Sequence, residues 1–551
     1  MSKLKFNRGV FVNLIRENEI RVPVLIIGGG PVGLACAIEL SWRGVECLLV
    51  EQRDGSINHP KMNQVGVRTV EFCRRWGVSE LVKKNSIPED FPRSVHFLTA
   101  TSGHQLAHYD FPARIDEPCL NSPEAIQRCS QIYFDPILRD HAKTLGGPKF
   151  SYSHNLKNFE QDDTGVTAEI VSLDTDSSTT VRADYMIACD GADSGVRDAL
   201  GIKLEGDSSM NYNINAYFRS TDHEFLFKHG PAVMQWIIDG EGVWADIVSI
   251  NGNDLWRFSF MRAERGHILS KEEMGQYLRK AVGCDFEFEI ISVLPWERRR
   301  VVAECFQDRR ILLCGDAVHQ MSPTGGFGMN TGIQEAVDAS WKVAAVLQGW
   351  GGHKLVETYD IERRPVAWSI VNEAARNYNQ FAKLPKGGDI TLDKKDSEDL
   401  RKSIGDTIYA EKFDREYDME GVPLGYRYNK SPIILSDDSF EIPFEVMNYT
   451  PTARPGHRAP HAWLSDGRST LDLFGQGFTL LNFSQNIDFN FIQESARTRK
   501  IPLRIETLDN TKIHELYERK FILVRPDGHV AWRGDEISQD FGKILDVIRG
   551  A

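Results

Sequence analysis

The sequence predicts a mixed α/β (α+β) protein in which a Rossmann-like dinucleotide-binding domain is interleaved with a β-sheet domain. Three observations predict it. A strand, glycine turn, helix and second strand follow one another over residues 22–51. Strand-like alternation rich in aromatic residues fills much of 205–300. The length, 551 residues, exceeds what one hydrophobic core supports, so two or three domains are expected.

Composition narrows the function classes. The 65 basic and 78 acidic residues give a formal charge of −13, which argues against a general nucleic-acid binder or a protein of anionic membrane surfaces. The N-terminal stretch MSKLKFNRGVFVNLIRENEI has neither a sustained apolar region nor a small-residue cleavage pattern, so no secretory signal is expected. VPVLIIGGGPVGLACAIEL, the longest apolar run, is interrupted by glycines and reads as strand, turn and helix rather than as a membrane span. The nine cysteines include no CxxC pair and no histidine at ligand spacing, so neither a metal site nor a dithiol redox centre is expected. Their usage fits the reducing cytoplasm.

VPVLII, residues 22–27, has the continuous apolar character of a buried parallel strand. In the turn that follows, Gly28 permits the tight bend, Gly30 lets backbone approach a pyrophosphate, and Gly33 lets the helix lie close to the strand. Pro31 suits a first helical position, where its missing N–H has no intrahelical partner to lose. The second strand, ECLLVE, ends at Glu51, where an acid can accept hydrogen bonds from an adenosine ribose. This unit identifies a dinucleotide site and leaves FAD and NAD undistinguished.

Two later segments distinguish them. RADYMIACDGADSGVRDALGI, residues 182–202, and GDAVHQMSPTGGFGMNTG, residues 315–332, resemble the "DG" and "GD" motifs of the single-component FAD-dependent aromatic hydroxylases, of the p-hydroxybenzoate hydroxylase and phenol hydroxylase type. With the first glycine motif they occur in the family's order, and the similarity runs from about residue 20 to about 380.

The resemblance implies tightly bound, non-covalent FAD, held by residues matched one by one to the family's motifs. Asp316 would contact the ribityl and ribose region, and Asp190 and Gly191 would lie near the flavin and nicotinamide sites. Arg53 would add a second adenosine-side contact, and Lys61 would stand where many relatives carry arginine. Lysine there reaches a phosphate as a point charge, without arginine's bidentate fork. Gln131 matches a glutamine that touches flavin. Pro323, Gly325 and Gly326 would pass close to the isoalloxazine, and Gly328, Met329 and Asn330 would open a helix whose N-terminus favours negative charge on reduced flavin. No second GxGxxG occurs in the chain, so NAD(P)H is expected as a transient co-substrate, with NADH and NADPH undistinguished.

The implied reaction uses NAD(P)H and O2 to hydroxylate a phenolic ring through a flavin C4a-hydroperoxide, with loss of a ring substituent chemically open. The cofactor carries that reactivity, while protein supplies position, electrostatics and dryness. Asn63 falls where phenol hydroxylase has a catalytic aspartate. An amide cannot act as a base, so its expected role is to orient the substrate hydroxyl. His319 is expected to be structural, hydrogen-bonded to nearby backbone. Most of Tyr212, Tyr217, Phe218, Trp236, Trp244, Trp256, Phe258 and Phe260 are expected in sheet core, with one or two lining the ring pocket.

Ile333, Val337, Trp341, Ala344 and Ala345 recur at helical spacing and predict a helix on the FAD domain. A second helix follows the break at 349–352, with Pro365 starting or kinking it. The charged stretch DKKDSEDLRKSIGDTIYAEKFDREYD predicts a solvated helix. From about 456 onward the chain resembles the thioredoxin-like C-terminal domain of phenol hydroxylase relatives, without cysteine. FILVRPDGHVAWR predicts a hairpin there, and packing or a homodimer contact is that domain's expected role.

The expected organisation is therefore an FAD-binding domain over 1–385 (about 20–100, 125–205 and 300–385), interrupted by a substrate domain (about 100–125 and 205–300). A connecting region, 386–455, leads to the thioredoxin-like domain, 456–551. A phenolic substrate and O2 are the expected partners, with no nucleic acid and no membrane. An FAD oxidase or dehydrogenase on the same scaffold, and a flavin-binding interaction protein, are the alternatives.

Overall fold

The computed structural model describes residues 19–111 and 119–551. The N-terminal stretch read above for a secretory signal, and residues 112–118 of the expected 100–125 segment, lie outside the described residues.

The first sheet is built on five parallel strands in the order Ile311–Leu313, Ser178–Ala188, Glu19–Ile27, Cys47–Glu51 and Pro148–Tyr152. Its central strands carry fully buried Val24, Leu25, Ile26, Leu49, Met186 and Ile187, as a parallel sheet covered on both faces requires. An antiparallel pair, His154–Asp162 and Gly165–Ser172, extends from strand Ser178–Ala188. Helices Pro31–Trp42 and Gly328–Leu347 pack side by side against the sheet.

The second sheet has eight strands in the order His319–Gln320, Glu289–Ala303, Leu204–Arg219, Leu255–Ala263, Gly242–Ser249, Met234–Asp239, Val95–Leu98 and Gln105–Tyr109. Strand Val95–Leu98 already belongs to this sheet, slightly ahead of residue 100. Alternation divides its two faces. Phe218, Trp244, Trp256 and Phe258 form an apolar core under helix Lys271–Val282, whose start is fixed by a capping box between Ser270 and Glu273. The intervening positions Asp246, Arg257 and Ser259 are joined by hydrogen bonds on the opposite face.

Residues 478–551 follow the order β-α-β-α-β-β-α. Strand Phe478–Asn482 pairs in parallel with Leu503–Thr507 and antiparallel with Phe521–Val524, which pairs antiparallel with Val530–Gly534. This is the thioredoxin-like topology. The hairpin turns through Asp527 and Gly528, the glycine at φ +87°.

Helix Gly328–Leu347 serves two cores. Ile333 and Val337 face the first sheet, whereas Trp341 and Ala345 pack with Phe478, Leu480 and Phe521 of the C-terminal sheet. Helix Lys354–Asn379 runs through Pro365 rather than starting there. Helix Lys395–Ala410 is solvated on one side only: Ile404 and Ile408 pack on the second sheet. Among the described residues no helix is long and apolar enough to cross a membrane.

Candidate active site

Four segments carrying the expected cofactor residues leave the C-terminal ends of four neighbouring parallel strands: Gly28 after Ile27, Arg53 just past Glu51, Asp190 after Ala188, and Asp316 after Leu313. In open α/β sheets, ligands bind in the crevice outside those ends. The segments are tied together by backbone. Cys189 donates its N–H to Ile27 at 2.7 Å, and Cys314 donates to Ala188 at 2.9 Å. The Arg197 guanidinium donates to the carbonyls of both Ala192 and Ala317.

The first glycine turn shows why larger residues are excluded. A Cβ on Gly28, at φ +104°, would lie 2.3 Å from the Cys189 carbonyl oxygen, and one on Gly33 would lie 2.0 Å from that of Gly28. Nothing stands within 4 Å of a Cβ on Gly30, Gly191 or Gly328, so those backbones border open space. Pro31 occupies the first turn of the helix. Gly33→Ala should force helix and strand apart, giving a purified protein without FAD; thermal melting and the flavin absorbance ratio check this.

Acids line the crevice. Glu51 Oε2 accepts the Gly29 N–H at 2.7 Å and Oε1 accepts that of Arg53 at 2.8 Å, which presets the carboxylate. The Asp190 carboxyl is raised by burial; Oδ2 accepts the Val196 N–H at 3.2 Å, and buried Oδ1 has no partner. Asp316 is exposed to the crevice, yet surrounding protein crowds it enough that desolvation raises its carboxyl, against the pull of His319 and Lys61. Its carboxylate oxygens bond to no described protein group. An unpartnered acid oxygen, an open acid and a glycine-bordered gap at adjacent strand ends are groups that fit the hydroxyls and pyrophosphate of FAD.

Lys61 is exposed, and its backbone N–H donates to Gln131 Oε1 at 2.9 Å. Gln131 also donates to Asp135 at 3.0 Å, so much of its amide is engaged within the protein. Burial raises Asp135 to about 7. Farther along, Pro323 is exposed and Gly325 N–H donates to Glu416 at 3.3 Å. Met329 packs against the core of the first sheet. Asn330 donates to the carbonyls of Gln64 and Gly326 and accepts the Gly66 N–H at 2.7 Å; its amide fastens two loops together.

His319 is completely buried, and its partner is the Glu335 carboxylate at 3.0 Å rather than backbone. Burial disfavours the imidazolium, but the Glu335 charge outweighs it and raises the His319 pKa. Glu335 also accepts the Gly315 N–H at 2.8 Å. One carboxylate on the helix thus holds both ends of the Asp316 turn, a role that no local spacing announces.

The second sheet presents its polar face to this crevice. His59 bonds to Ser292 at 2.8 Å, Asn63 Nδ2 donates to the Ser249 carbonyl at 3.2 Å, and Arg298 donates to Ser322 and to Asn211. Tyr217 is in register with Arg257 on this face and meets the His59 ring edge-on; Phe218, Trp244, Trp256 and Phe258 lie in the core beyond it. Asn63 is buried and its Oδ1 has no partner. Arg298 stacks 3.8 Å above Tyr378 and, buried away from solvent, falls to about 10. Gln64, beside Asn63 in the HPKMNQ stretch, donates to the Gly325 carbonyl at 3.2 Å. Its place next to a matched motif position was the one sequence signal for it.

Cys36, Cys189 and Cys314 converge behind the crevice, with their sulfur atoms within 4.8 Å of one another. They come from three segments, so cysteine spacing could not show the cluster.

Comparison with known proteins agrees with this geometry. Residues 21–374 match the family model described as FAD binding domain, and 452–551 match aromatic-ring hydroxylase, C-terminal. The chain is 31% identical to the FAD-dependent monooxygenase apdD of Emericella nidulans, over 96% of this chain and 91% of the relative. It is 30% identical to the 4-methyl-5-nitrocatechol 5-monooxygenase of a Burkholderia species, over 95% and 96%. A solved structure of RebC soaked with chromopyrrolic acid and holding 7-carboxy-K252c superposes with a TM-score of 0.89 at 36% identity, covering 97% of this chain and 99% of that one. The chain belongs to the FAD-dependent monooxygenases of the aromatic-ring hydroxylase family.

Proposed function

We propose that the protein uses FAD, NAD(P)H and O2 to hydroxylate a phenolic aromatic ring. The observation that carries this reading is the crevice itself: four cofactor segments at adjacent strand ends, facing the polar side of the second sheet. Bound FAD, once reduced, supplies the oxygen chemistry. The chain's own groups do the rest. Glu51 and Arg53 would hold the adenosine end, the N–H groups of the Gly28–Gly33 turn and the Lys61 ammonium would donate to the pyrophosphate, and Asp316, Asp190 and Gln131 would hold the middle of the cofactor. The backbone of Pro323, Gly325 and Gly326 would face the flavin, and the N–H groups that open the helix at Gly328 would favour negative charge on it when reduced.

The substrate lies between that backbone and the polar sheet face, with Tyr217 helping to exclude water. Asn63, anchored through Nδ2, accepts the substrate hydroxyl on Oδ1. Loss of one hydrogen bond at a buried acceptor costs about 1 kcal/mol. Asn63→Ala should therefore raise KM for the phenol about fivefold, with FAD retention unchanged in the same preparation.

Substituent expulsion belongs to this reading, because the named Burkholderia relative places oxygen at position 5 of a 5-nitrocatechol. Nine unpaired cysteines fit a reducing compartment, and we place the protein in the cytoplasm on that ground. The test is to follow NADH and NADPH oxidation, oxygen uptake and product mass over a panel of phenols and catechols. Substrate-stimulated oxidation with a hydroxylated product is expected. Flavin reduction by the aromatic compound alone, without nicotinamide, would instead mark an oxidase or dehydrogenase.

A further inference from the structure

Three thiols from separate segments meet behind the cofactor crevice. Cys36 lies on helix Pro31–Trp42, Cys189 immediately before Asp190, and Cys314 two residues before Asp316. Their sulfur atoms all lie within 4.8 Å of one another, and those of Cys36 and Cys189 are 3.9 Å apart. Backbone fixes two of the three, through the bonds from Cys189 N–H to Ile27 and from Cys314 N–H to Ala188. Cys36 and Cys314 are fully buried, whereas Cys189 is half-buried where its strand ends at the crevice. An ion therefore has a way in from that side.

Two neighbouring hydroxyls shape the cluster. Tyr359 donates its phenolic proton to the Leu313 carbonyl at 2.7 Å, so across the 3.1 Å contact with Cys314 its oxygen accepts the thiol proton. Ser340 places a fully buried hydroxyl beside the Cys36 sulfur, and that oxygen has no hydrogen-bond partner. A buried hydroxyl without a partner is destabilising; a thiolate at Cys36 gives it an acceptor. The cluster contains no histidine, carboxylate or fourth cysteine. Structural zinc takes four ligands and hard cations take oxygen. Sulfur ligands alone, in so small a set, suit a soft monovalent ion.

We propose that Cys36, Cys189 and Cys314 form a binding site for a thiophilic monovalent ion, Cu(I), which fastens the glycine-turn helix to the Asp190 and Asp316 turns. Cys36 and Cys189 enter as thiolates, releasing their two protons to solvent as two copper–sulfur bonds form. Cys314, its proton held by Tyr359, adds its sulfur as a neutral third ligand. One Cu(I) and two thiolates leave a single negative charge, which the Ser340 hydroxyl is placed to meet. Because the ion joins segments that come together only in the folded chain, its binding also stabilises the fold.

The test uses the full-length, FAD-loaded protein, thiol-reduced and free of oxygen, with Cu(I) as the probe and bicinchoninate as the competing chelator. The wild type should keep one Cu(I) per chain against excess chelator, and its melting temperature should rise. Cys36→Ser and Cys189→Ser should each weaken retention by about a hundredfold or more, beyond the roughly 10–100-fold that changes outside a ligand set cost. Cys284→Ser, which alters a thiol beside the core of the second sheet, should leave retention as it is. Absence of retained copper in the wild type, or retention that survives in both cluster variants, would overturn the site. Should the cluster variants not fold, X-ray absorption at the copper edge decides in the wild type: three sulfur neighbours support the assignment, and fewer than three, or nitrogen and oxygen in their place, count against it. Zn(II) that displaces bound Cu(I) at equal concentration would overturn the choice of a soft monovalent ion.

Discussion

Asp316→Ala is expected to lower FAD affinity by roughly ten- to a hundredfold in a protein that remains folded. The size follows from the roughly 1.5–3 kcal/mol that a hydrogen bond to a charged group contributes. The fold should survive because the Asp316 carboxylate supports nothing else. It faces the crevice and bonds to no described group, while the turn that carries it is held from Gly315 and His319 by Glu335. Crowding by the surrounding protein already raises its pKa, while its exposed face stays open for a cofactor hydroxyl to hydrogen-bond. Flavin fluorescence during dialysis, read beside a thermal melt of the apoprotein, measures both halves of the expectation. Undiminished FAD affinity in a folded variant would remove Asp316 from the site.

Arg525→Leu should destabilise the protein by about 3–5 kcal/mol, the usual consequence of removing one partner from a buried ionic cluster. Arg525 is fully buried and contacts Glu362 at 2.6 Å, Asp527 at 2.8 Å and Asp338 at 3.2 Å, with Lys342 completing the cluster at 2.6 Å from Glu362. The pairs join the C-terminal hairpin to helices Gly328–Leu347 and Lys354–Asn379, so the loss should also loosen that domain. Burial opposes ionisation of Glu362, but Arg525 and Lys342 outweigh it and hold the carboxyl at about 2. Asp338, under the same cations, is pushed by burial and by Glu362 to about 6, whereas burial opposes ionisation of Asp527 but Arg525 and His529 outweigh it and hold its carboxyl well below the usual range; the ionic contribution therefore rests on Glu362 and Asp527. A depressed carboxyl stabilises the fold fully above its unfolded value and loses that contribution as pH falls toward the folded one. Wild-type stability should therefore begin to decline below about pH 5 and keep falling through pH 2 as Glu362 and then Asp527 take up protons, and the variant, starting lower, should show a shallower decline. Denaturant titrations at several pH values read both slopes.

The parts of this architecture that were legible in the sequence are those written locally. The strand ending at Ile27, the glycine turn, Glu51, and the Asp190 and Asp316 turns each depend on a few neighbouring residues, and the structure brings all of them to one crevice. The C-terminal hairpin was legible for the same reason, since Asp527 and Gly528 form its turn. What escaped depends on distant pairs. Glu335 acts on Gly315 and His319 from the next helix. Trp341 sits in a repeat that reads as one apolar face, yet it inserts into a core completed by Phe478. In the second sheet the aromatic positions drew attention, although alternation sends most of them under helix Lys271–Val282 and turns Arg257 and Arg298 toward the crevice. Periodicity separates two faces of a strand; only the packed structure says which face meets the cofactor side.

The most direct test of the central reading is a turnover of the FAD-loaded protein with NAD(P)H and a phenol that stimulates it, under 18O-labelled oxygen gas. The account predicts a product containing one 18O atom on the ring for each substrate converted, or one 18O in place of an expelled substituent. Nicotinamide oxidation that yields only labelled hydrogen peroxide, or a product whose new oxygen comes from water, would contradict it.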